Sequence, residues 1–379
     1  MIASNDKRIR VVQVVHGLVV GGIESWLVNV LQRIDRDRFQ VDFITSRPEP
    51  CYYDDEVRAL GAQIHFCPSP RKPWIYGPAF RKIIKQGGYS VVHAHVDHYS
   101  GFVMRLAKSV GVKTRITHSH SNTTRNQAKA GMFRRIYLGS AKRWIRTSAT
   151  VGLAVSDVAG ASLFPRWGND DRWDVLHCGI NTAGFHHPVD RSALRQHYGI
   201  PEDAFVFGHI GGFREPKNHR FLVEIAAALK KRDPSIRMLL VGDGPLRPEI
   251  KAHVREAGVE QQVVFTGIVR DVTTVLRGAM DAFVFPSLWE GAPLAVLEAQ
   301  ATGIPTLMST AVTNEIAHIP SLVQQKSLDD SADDWADALM TMAQRPREFT
   351  PAEALARIEA SRFNVDNAVR KLEALYAGQ

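Results

Sequence analysis

Short apolar runs alternate with amphipathic stretches along almost the whole chain. Two of the runs, 238–241 and 282–285, carry no polar residue at alternate positions. A strand that is apolar on both faces is typical of a parallel sheet covered by helices on both sides, so the pattern predicts a doubly wound α/β fold. The predicted strands are 10–16, 40–45, 63–66, 90–94, 114–117, 151–155, 173–176, 205–210, 236–241, 263–266, 281–285 and 306–308, and predicted helices include 23–34, 101–110, 331–343 and 364–376.

The predicted elements form two successive series, and 379 residues are too many for one core of ordinary size. Gly, Asn, His and Pro interrupt the pattern at 179–188, which favours a domain junction there. We therefore expect one domain over 1–182 and a second over 183–362. Ligands of open α/β sheets bind outside the carboxyl ends of the strands, so a cleft between the two domains is the expected site.

Composition narrows the location and the partners. No apolar run approaches the roughly 18 residues of a membrane-spanning helix, and residues 1–10 are too polar for a secretory signal. We therefore expect a cytoplasmic protein. Lys plus Arg number 47 against 39 Asp plus Glu, which favours anionic partners. The three cysteines are too widely spaced to predict a disulfide framework or a zinc site, and no metal is expected.

The most informative segment is DAFVFPSLWEGAPLAVLEAQATGIP, at 281–305. Pro293 is suited to begin a helix on which Glu298 shares a face with apolar residues. A carboxylate in that position is costly unless it has a partner or a ligand. The free N–H groups near Leu294 and Ala295 can hold a phosphate. The alternative is that Glu298 simply pairs with a neighbouring arginine.

The string PSLWEGAPLAVLEAQATGIP resembles the E-x7-E signature of retaining glycosyltransferases of the GT-B fold, in the bacterial polysaccharide family known as family 4. The loop GGIE at 21–24, the turn VGDGPL at 241–246 and the strand end FTG at 265–267 match the same family in order. The resemblance implies two Rossmann-like domains with a cleft between them. It also implies that the first domain binds the acceptor, that the second binds the donor, and that a C-terminal helix at 363–379 packs back onto the first.

The resemblance implies roles for individual residues. Glu298 would bind the ribose hydroxyls of the nucleotide, and Glu290 would contact the donor sugar near the reacting centre. Lys217 would neutralise the diphosphate as its charge develops, which makes it catalytic together with Glu290. Ile268 would lie near the base. The remaining donor or substrate contacts would come from Gly21, Gly22, Ala292, Leu294 and Ala295.

One position departs from the family pattern. The family usually has an arginine directly after the glycine at the end of the preceding strand, where this chain has Gly212. Arg214 could supply the missing charge from two residues further on. Alternatively, Lys217 and backbone N–H groups hold the diphosphate alone. The departure bears on the level of activity rather than on the fold.

Histidines follow two of the predicted strands, in the strings VHAH and THSH. Family members have a histidine close to the donor sugar after the second of these strands. His118 and His120 both fit, and we favour His118 as the catalytic one, with His120 as a substrate contact. His93 and His95 are weaker candidates for contacts with an acceptor.

A basic stretch at 125–146 contains no acidic residue. Apolar and aromatic side chains are interleaved with its charges, so a basic amphipathic helix at an anionic membrane surface is one interpretation. The alternative is a surface helix that packs its apolar side on its own domain. No nucleic-acid module is recognisable, and we expect no nucleic acid as partner. The basic residues are Arg125, Lys129, Arg134, Arg135, Lys142, Arg143 and Arg146.

Together these features predict a retaining glycosyltransferase that uses a UDP- or GDP-sugar. The resemblance implies a polyprenyl-diphosphate-linked or other glycan acceptor at the inner face of the membrane, and no metal or other cofactor. Two alternatives remain open: a nucleotide-sugar epimerase, and a non-catalytic binding protein that retains the nucleotide pocket.

Overall fold

The computed structural model describes residues 7–128 and 130–378, without the side chains of residues 125 and 126. The chain divides into two compact units. The first contains the described residues up to Gly179 and those from Val365 onward, and the second is Ile180–Asn364. Each unit is built on its own parallel sheet.

The first unit has seven strands in the order β3-β2-β1-β4-β5-β6-β7, all of them parallel. The strands are β1 (Ile9–Val14), β2 (Phe39–Thr45), β3 (Ile64–Phe66), β4 (Val91–Ala94), β5 (Thr114–Ser119), β6 (Val151–Ala154) and β7 (Trp173–Val175). The helices between them are α1 (Gly22–Arg33), α2 (Asp54–Ala59), α3 (Pro73–Gly87), α4 (Ser100–Ser109), α5 (Thr124–Ala128), α6 (Met132–Ser148) and α7 (Asp157–Leu163).

The second unit has six parallel strands in the order β10-β9-β8-β11-β12-β13. They are β8 (Val206–Ile210), β9 (Arg237–Val241), β10 (Val263–Gly267), β11 (Ala282–Phe285), β12 (Thr306–Ser309) and β13 (Val323–Lys326). The helices are α8 (Arg191–His197), α9 (His219–Arg232), α10 (Arg247–Glu256), α11 (Val272–Ala279), α12 (Leu294–Ala301), α13 (Ala332–Gln344) and α14 (Pro351–Glu359). The final helix, α15 (Val365–Tyr376), belongs to the first unit.

Strand β11 shows why its sequence is apolar at every position. Phe283 and Phe285 lie in the core on one face of the second sheet, and Ala282 and Val284 lie in a separate core on the other face. A strand buried on both faces needs helices on both sides. The predicted fold of two doubly wound α/β domains is therefore confirmed.

The C-terminal helix α15 packs against α1 of the first unit. Its Tyr376 is buried and receives a 2.9 Å hydrogen bond from the side-chain amide of Gln13 in β1. The predicted return of the C-terminal helix to the first domain is thus observed. Across the described ranges, no helix combines the length and the apolar character that crossing a membrane requires.

Candidate functional site

In the second unit, backbone hydrogen bonds join the loops at the carboxyl ends of the neighbouring strands β8, β9 and β10. The Gly211 N–H donates to the carbonyl of Val241 at 3.0 Å, and the Gly242 N–H donates to the carbonyl of Gly267 at 2.9 Å. Gly242 has φ +132°, and a Cβ atom there would overlap the carbonyl oxygen of Gly211. Glycine is therefore required for this close approach of β8 and β9. Because these loops are rich in glycine, a phosphate group can approach their backbone atoms without obstruction by side chains.

Lys217 and Glu290 come together beside this edge. The Nζ of Lys217 lies 2.7 Å from Oε1 of Glu290 and 4.6 Å from the centre of the Phe285 ring. Asn218, at φ +54°, donates from its side-chain amide to the carbonyl of Pro286 at 3.1 Å and so fixes the loop that carries the lysine. Both members of the ion pair are half-buried, at 22% and 16% side-chain exposure. The structure therefore joins two of the three residues predicted to be catalytic.

Glu298 lies in the second turn of α12. Burial raises the pKa of its carboxyl group to about 7. Among the described residues the carboxyl has no hydrogen-bond or ion-pair partner, so the alternative of a pairing arginine is not met. It is half-buried, as are Leu294 and Ala295, whereas Leu297 is fully buried. A half-buried carboxyl without a partner is suited to accept hydrogen bonds from ligand hydroxyls.

Gly212, the residue that departs from the family pattern, has room for a side chain. A Cβ atom at Gly212 would come no closer than 3.5 Å to the carbonyl oxygen of Asp243 and 3.9 Å to Nε of Arg214. Arg214 is exposed and makes no ion pair within the described part of the chain. The Nε of Arg214 therefore lies 3.9 Å from the point at which a side chain at position 212 would begin. Ile268, directly after β10, is 44% exposed, and Ala292 is half-buried before α12.

Gly21 and Gly22 lie at the start of α1 in the first unit. Gly21 is extended, with φ −173°, so no left-handed conformation demands glycine there. A Cβ atom at Gly21 would overlap Oε2 of Glu24, a flexible side chain, and one at Gly22 would meet no atom within 4 Å. The space above Gly22 is therefore open to a ligand.

Four histidines from two adjacent strand ends form one cluster. β4 and β5 pair in parallel register, which places His93 and His95 beside His118 and His120. His93 Nε2 lies 3.3 Å from His118 Nδ1, and His95 Nδ1 lies 2.8 Å from His120 Nε2. Burial lowers the pKa of all four rings, that of His120 to about 3. The four rings are therefore neutral at physiological pH.

The cluster distinguishes the two candidate histidines. His118 has no exposed surface, and the indole of Trp26 packs edge-on to its ring at 5.4 Å. His120 is half-buried and retains some exposed surface. Burial therefore favours His120 over His118 for contact with a ligand, in contrast to the preference drawn from the sequence.

Sequence reasoning missed four residues that complete this cluster. Gln13 and Tyr376 hydrogen bond to the histidines, and Trp26 and Cys178 contact them. They come from β1, α15, α1 and the segment after β7, and no spacing rule joins those parts of the chain. The available signal was the pair of His-x-His strings at the ends of two consecutive strands.

The basic stretch forms α6 together with the residues before it. Leu138, Ala141 and Ile145 are buried, and α6 packs against α4, as expected for a helix on its own domain. Its first two turns differ, because apolar side chains there are exposed beside exposed arginines. Lys129 and the side chain of Arg125 lie outside the described residues. The exposed residues are Met132 at 71%, Phe133 at 86%, Ile136 at 62% and Tyr137 at 44%, together with Arg134, Arg135, Arg143 and Arg146, whereas Lys142 is half-buried.

Comparisons with known proteins identify the family. Residues 20–183 match the family described as Glycosyltransferase Family 4, and residues 204–345 match the one described as Glycosyl transferases group 1. The chain is 34% identical over 364 residues to the putative glycosyltransferase EpsF of Bacillus subtilis, which covers 93% of each protein. The chain belongs to the group 1 glycosyltransferases.

Further relatives of this group 1 glycosyltransferase have more specific names. It is 24% identical to the Escherichia coli UDP-Gal:alpha-D-GlcNAc-diphosphoundecaprenol alpha-1,3-galactosyltransferase, over 81% of this chain and 80% of that protein. The solved structure of Anabaena HepE with UDP and glucose superposes with a TM-score of 0.81 at 18% identity, over 98% of this chain and all of the other. At that identity the likeness establishes a shared fold.

Proposed function

We propose that this glycosyltransferase moves a sugar from a UDP- or GDP-sugar to a lipid-linked or other glycan acceptor in polysaccharide synthesis, with retention of anomeric configuration. The observation that carries the proposal is the Lys217–Glu290 pair next to the start of α12. The carboxyl of Glu298, which has no partner within the described ranges, lies in the second turn of the same helix. The names of the relatives support it, since one uses a UDP-sugar and a diphosphoundecaprenol-linked acceptor and another was solved with UDP.

The charges of the second unit suit a nucleotide diphosphate. Lys217 and the exposed Arg214 supply positive charge, and the N–H groups at the start of α12 have no side-chain cap, because the preceding residue is Pro293. Helix N-termini and cationic side chains stabilise a diphosphate as it leaves. Glu298 would accept hydrogen bonds from the ribose. These groups suffice without a metal ion, so we expect transfer to continue in EDTA.

The same pair constrains the mechanism. One oxygen of Glu290 is bound to Lys217, so its carboxylate is engaged rather than poised as a nucleophile. We propose that the acceptor hydroxyl oxygen bonds to the anomeric carbon on the face from which the diphosphate departs. The bond from that carbon to the diphosphate breaks, and the hydroxyl proton passes to a phosphate oxygen. The protein positions the reactants and stabilises the charge.

The start of α6 supports a proposal about location. Exposed apolar side chains flanked by exposed arginines, with no acidic residue in the helix, suit the interface of an anionic membrane. We propose that this surface, formed by residues 132–137, binds the membrane that holds a lipid-linked acceptor.

An acceptor-dependent release assay tests the proposed function. The full-length protein is incubated with UDP- or GDP-sugars, with and without a polyprenyl-diphosphate-linked sugar in anionic vesicles. We expect nucleotide release only with acceptor, and a product of retained configuration. Lys217→Ala is expected to lower kcat by about 10²–10³-fold, as removal of a donor from an oxyanion hole does. Conversion of the donor without acceptor would instead show an epimerase, and nucleotide binding without any turnover would show a binding protein.

A further inference from the structure

Cys178 lies beside the histidine cluster of the first unit. Its Sγ is 3.9 Å from Nδ1 of His120, and the ligand atoms of His118, His120 and Cys178 all lie within 4.8 Å of one another. At a tetrahedral zinc ion with ordinary bond lengths, a nitrogen and a sulfur ligand lie about 3.6 Å apart. A contraction of a few tenths of an ångström would therefore bring His120 and Cys178 to that separation.

Hydrogen bonds already hold His120 in the form that binds metal. The carbonyl oxygen of the Gln13 amide only accepts, so the Nε2 of His95, 2.8 Å away, must donate to it. Neutral His95 then has a bare Nδ1, which receives the Nε2–H of His120 at 2.8 Å. The Nδ1 of His120 is consequently a lone pair directed at Cys178. A metal-bound histidine normally donates its other N–H in this way to a neighbouring acceptor.

His118 offers a second nitrogen. Its Nε2 is buried and makes no hydrogen bond of good geometry to the described residues. Its Nδ1 lies 3.3 Å from Nε2 of His93, whose other nitrogen lies 2.9 Å from the Tyr376 hydroxyl. A proton on Nδ1 of His118 can therefore bond to His93 while His93 donates to Tyr376, which leaves Nε2 of His118 bare. A backbone hydrogen bond between the His118 ring and Leu176 acts against burial and raises the pKa of the ring, and binding of a metal ion would have to replace it.

We propose that His118, His120 and Cys178 form a binding site for Zn²⁺ or a divalent ion of the same class, with a fourth position open to water on the exposed side of His120. Imidazole and thiolate are the ligands that zinc prefers. As the sulfur–metal bond forms, the thiol proton passes to solvent and nothing is oxidised, so about one proton is released per ion. His93 and His95 act as the outer acceptors because Gln13 and Tyr376 already bind their other nitrogens.

Metal binding would link the end of β5 to the segment after β7. An ion that binds only the folded site stabilises it. The site uses two histidines that the resemblance assigns to the donor sugar, but its test uses no nucleotide or acceptor, so its outcome does not depend on the proposed sugar transfer.

Co²⁺ titration of the EDTA-treated and desalted full-length protein tests the site. We expect about one equivalent of Co²⁺ to bind, with a thiolate-to-cobalt charge-transfer band and the visible bands of tetrahedral cobalt, and Zn²⁺ to displace it. Cys178→Ser should lose the charge-transfer band and bind about tenfold or more weakly. Cys51→Ser, which removes a half-buried thiol elsewhere in the same unit, is the matched control and should leave both unchanged.

Two results would overturn the site. One is a cobalt spectrum and affinity of Cys178→Ser equal to those of the unchanged protein. The other is the absence of tetrahedral cobalt bands in the unchanged protein at excess Co²⁺. Should circular dichroism show Cys178→Ser to be unfolded, His120→Ala takes its place. A folded His120→Ala protein that retained full affinity would equally exclude the proposal.

Discussion

At the residue scale, the second unit contrasts two carboxyl groups eight positions apart. Glu290 is paired with Lys217, and Glu298 has no partner among the described residues. The helical pattern placed Glu298 among apolar neighbours from sequence alone. Whether an arginine reached it depended on packing between distant segments, which spacing does not encode. The sequence could not distinguish His118 from His120 for the same reason. The two residues point to the same face of the strand, and their difference in burial depends on what packs around them.

Arg214 is the residue whose role the structure sharpens most, because its side chain lies near the open space above Gly212. Charge-assisted hydrogen bonds contribute about 1.5–3 kcal/mol, so Arg214→Ala should weaken binding of the preferred nucleotide diphosphate by about tenfold or more. Adding Gly212→Arg to that variant should restore part of the affinity. Isothermal titration calorimetry measures both.

Arg220→Ala is the control for this pair, because Arg220 is an exposed arginine of the same unit that pairs with Glu249. Its affinity should equal that of the unchanged protein. Full affinity in Arg214→Ala would show that Lys217 and backbone groups hold the diphosphate alone, and would rule out the substitute role of Arg214.

At the element scale, strands were predictable where their sequence contains an apolar run. The central strands of both sheets were predicted within a few residues of their ends. The edge strand β13 was missed, since its sequence VQQK has no apolar run and its four residues are only half-buried. The edge strands β3, β7 and β10 were predicted because each retains apolar residues, whereas β13 pairs with β12 through its backbone and has no apolar run to reveal it.

The contact between α4 and α6 depends on one glycine. A Cβ atom at Gly101 would overlap the backbone carbonyl oxygen of Ala141, whereas one at Gly139, on the exposed side of α6, would meet nothing within 4 Å. Gly101→Ala should lower the free energy of unfolding by about 1–3 kcal/mol through overpacking. Gly139→Ala should be neutral or raise it by up to about 1 kcal/mol through helix propensity. Urea unfolding compares them, and equal effects would contradict the packing described.

The surface at the start of α6 makes a separate prediction. Replacing Arg134 and Arg135 with Gln should weaken sedimentation with anionic vesicles by about tenfold or more, at about 1 kcal/mol per charge near the membrane. Phe133→Ser should weaken it further, because 86% of the Phe133 side chain is exposed. Replacing Lys230 and Lys231 with Gln, a basic pair in the second unit, is the charge-matched control. Unchanged sedimentation of the folded arginine variant would exclude the membrane surface.

At the scale of the whole molecule, alternation of strand and helix was enough to predict two doubly wound units, because each parallel strand needs a helical crossover. Contacts between residues near the two ends of the chain could not be predicted from that alternation. Gln13 and Tyr376 are 363 positions apart and meet only because α15 packs against α1. The hydrogen bonds around the four histidines depend on this packing of α15. The strings VHAH and THSH could therefore be recognised in the sequence, but the residues that hydrogen bond to them could not.

Thermal melting of the full chain with UDP, GDP, ADP, TDP and their sugar conjugates tests the central claim most directly. A ligand at about 100 times its Kd adds about 3 kcal/mol to the stability of the folded state. We expect one of the UDP or GDP families to raise the melting temperature, Glu298→Ala to lose that rise, and Glu290→Ala to retain most of it. If no nucleotide changes the melting of the well-folded protein, the account of a nucleotide-sugar transferase is contradicted.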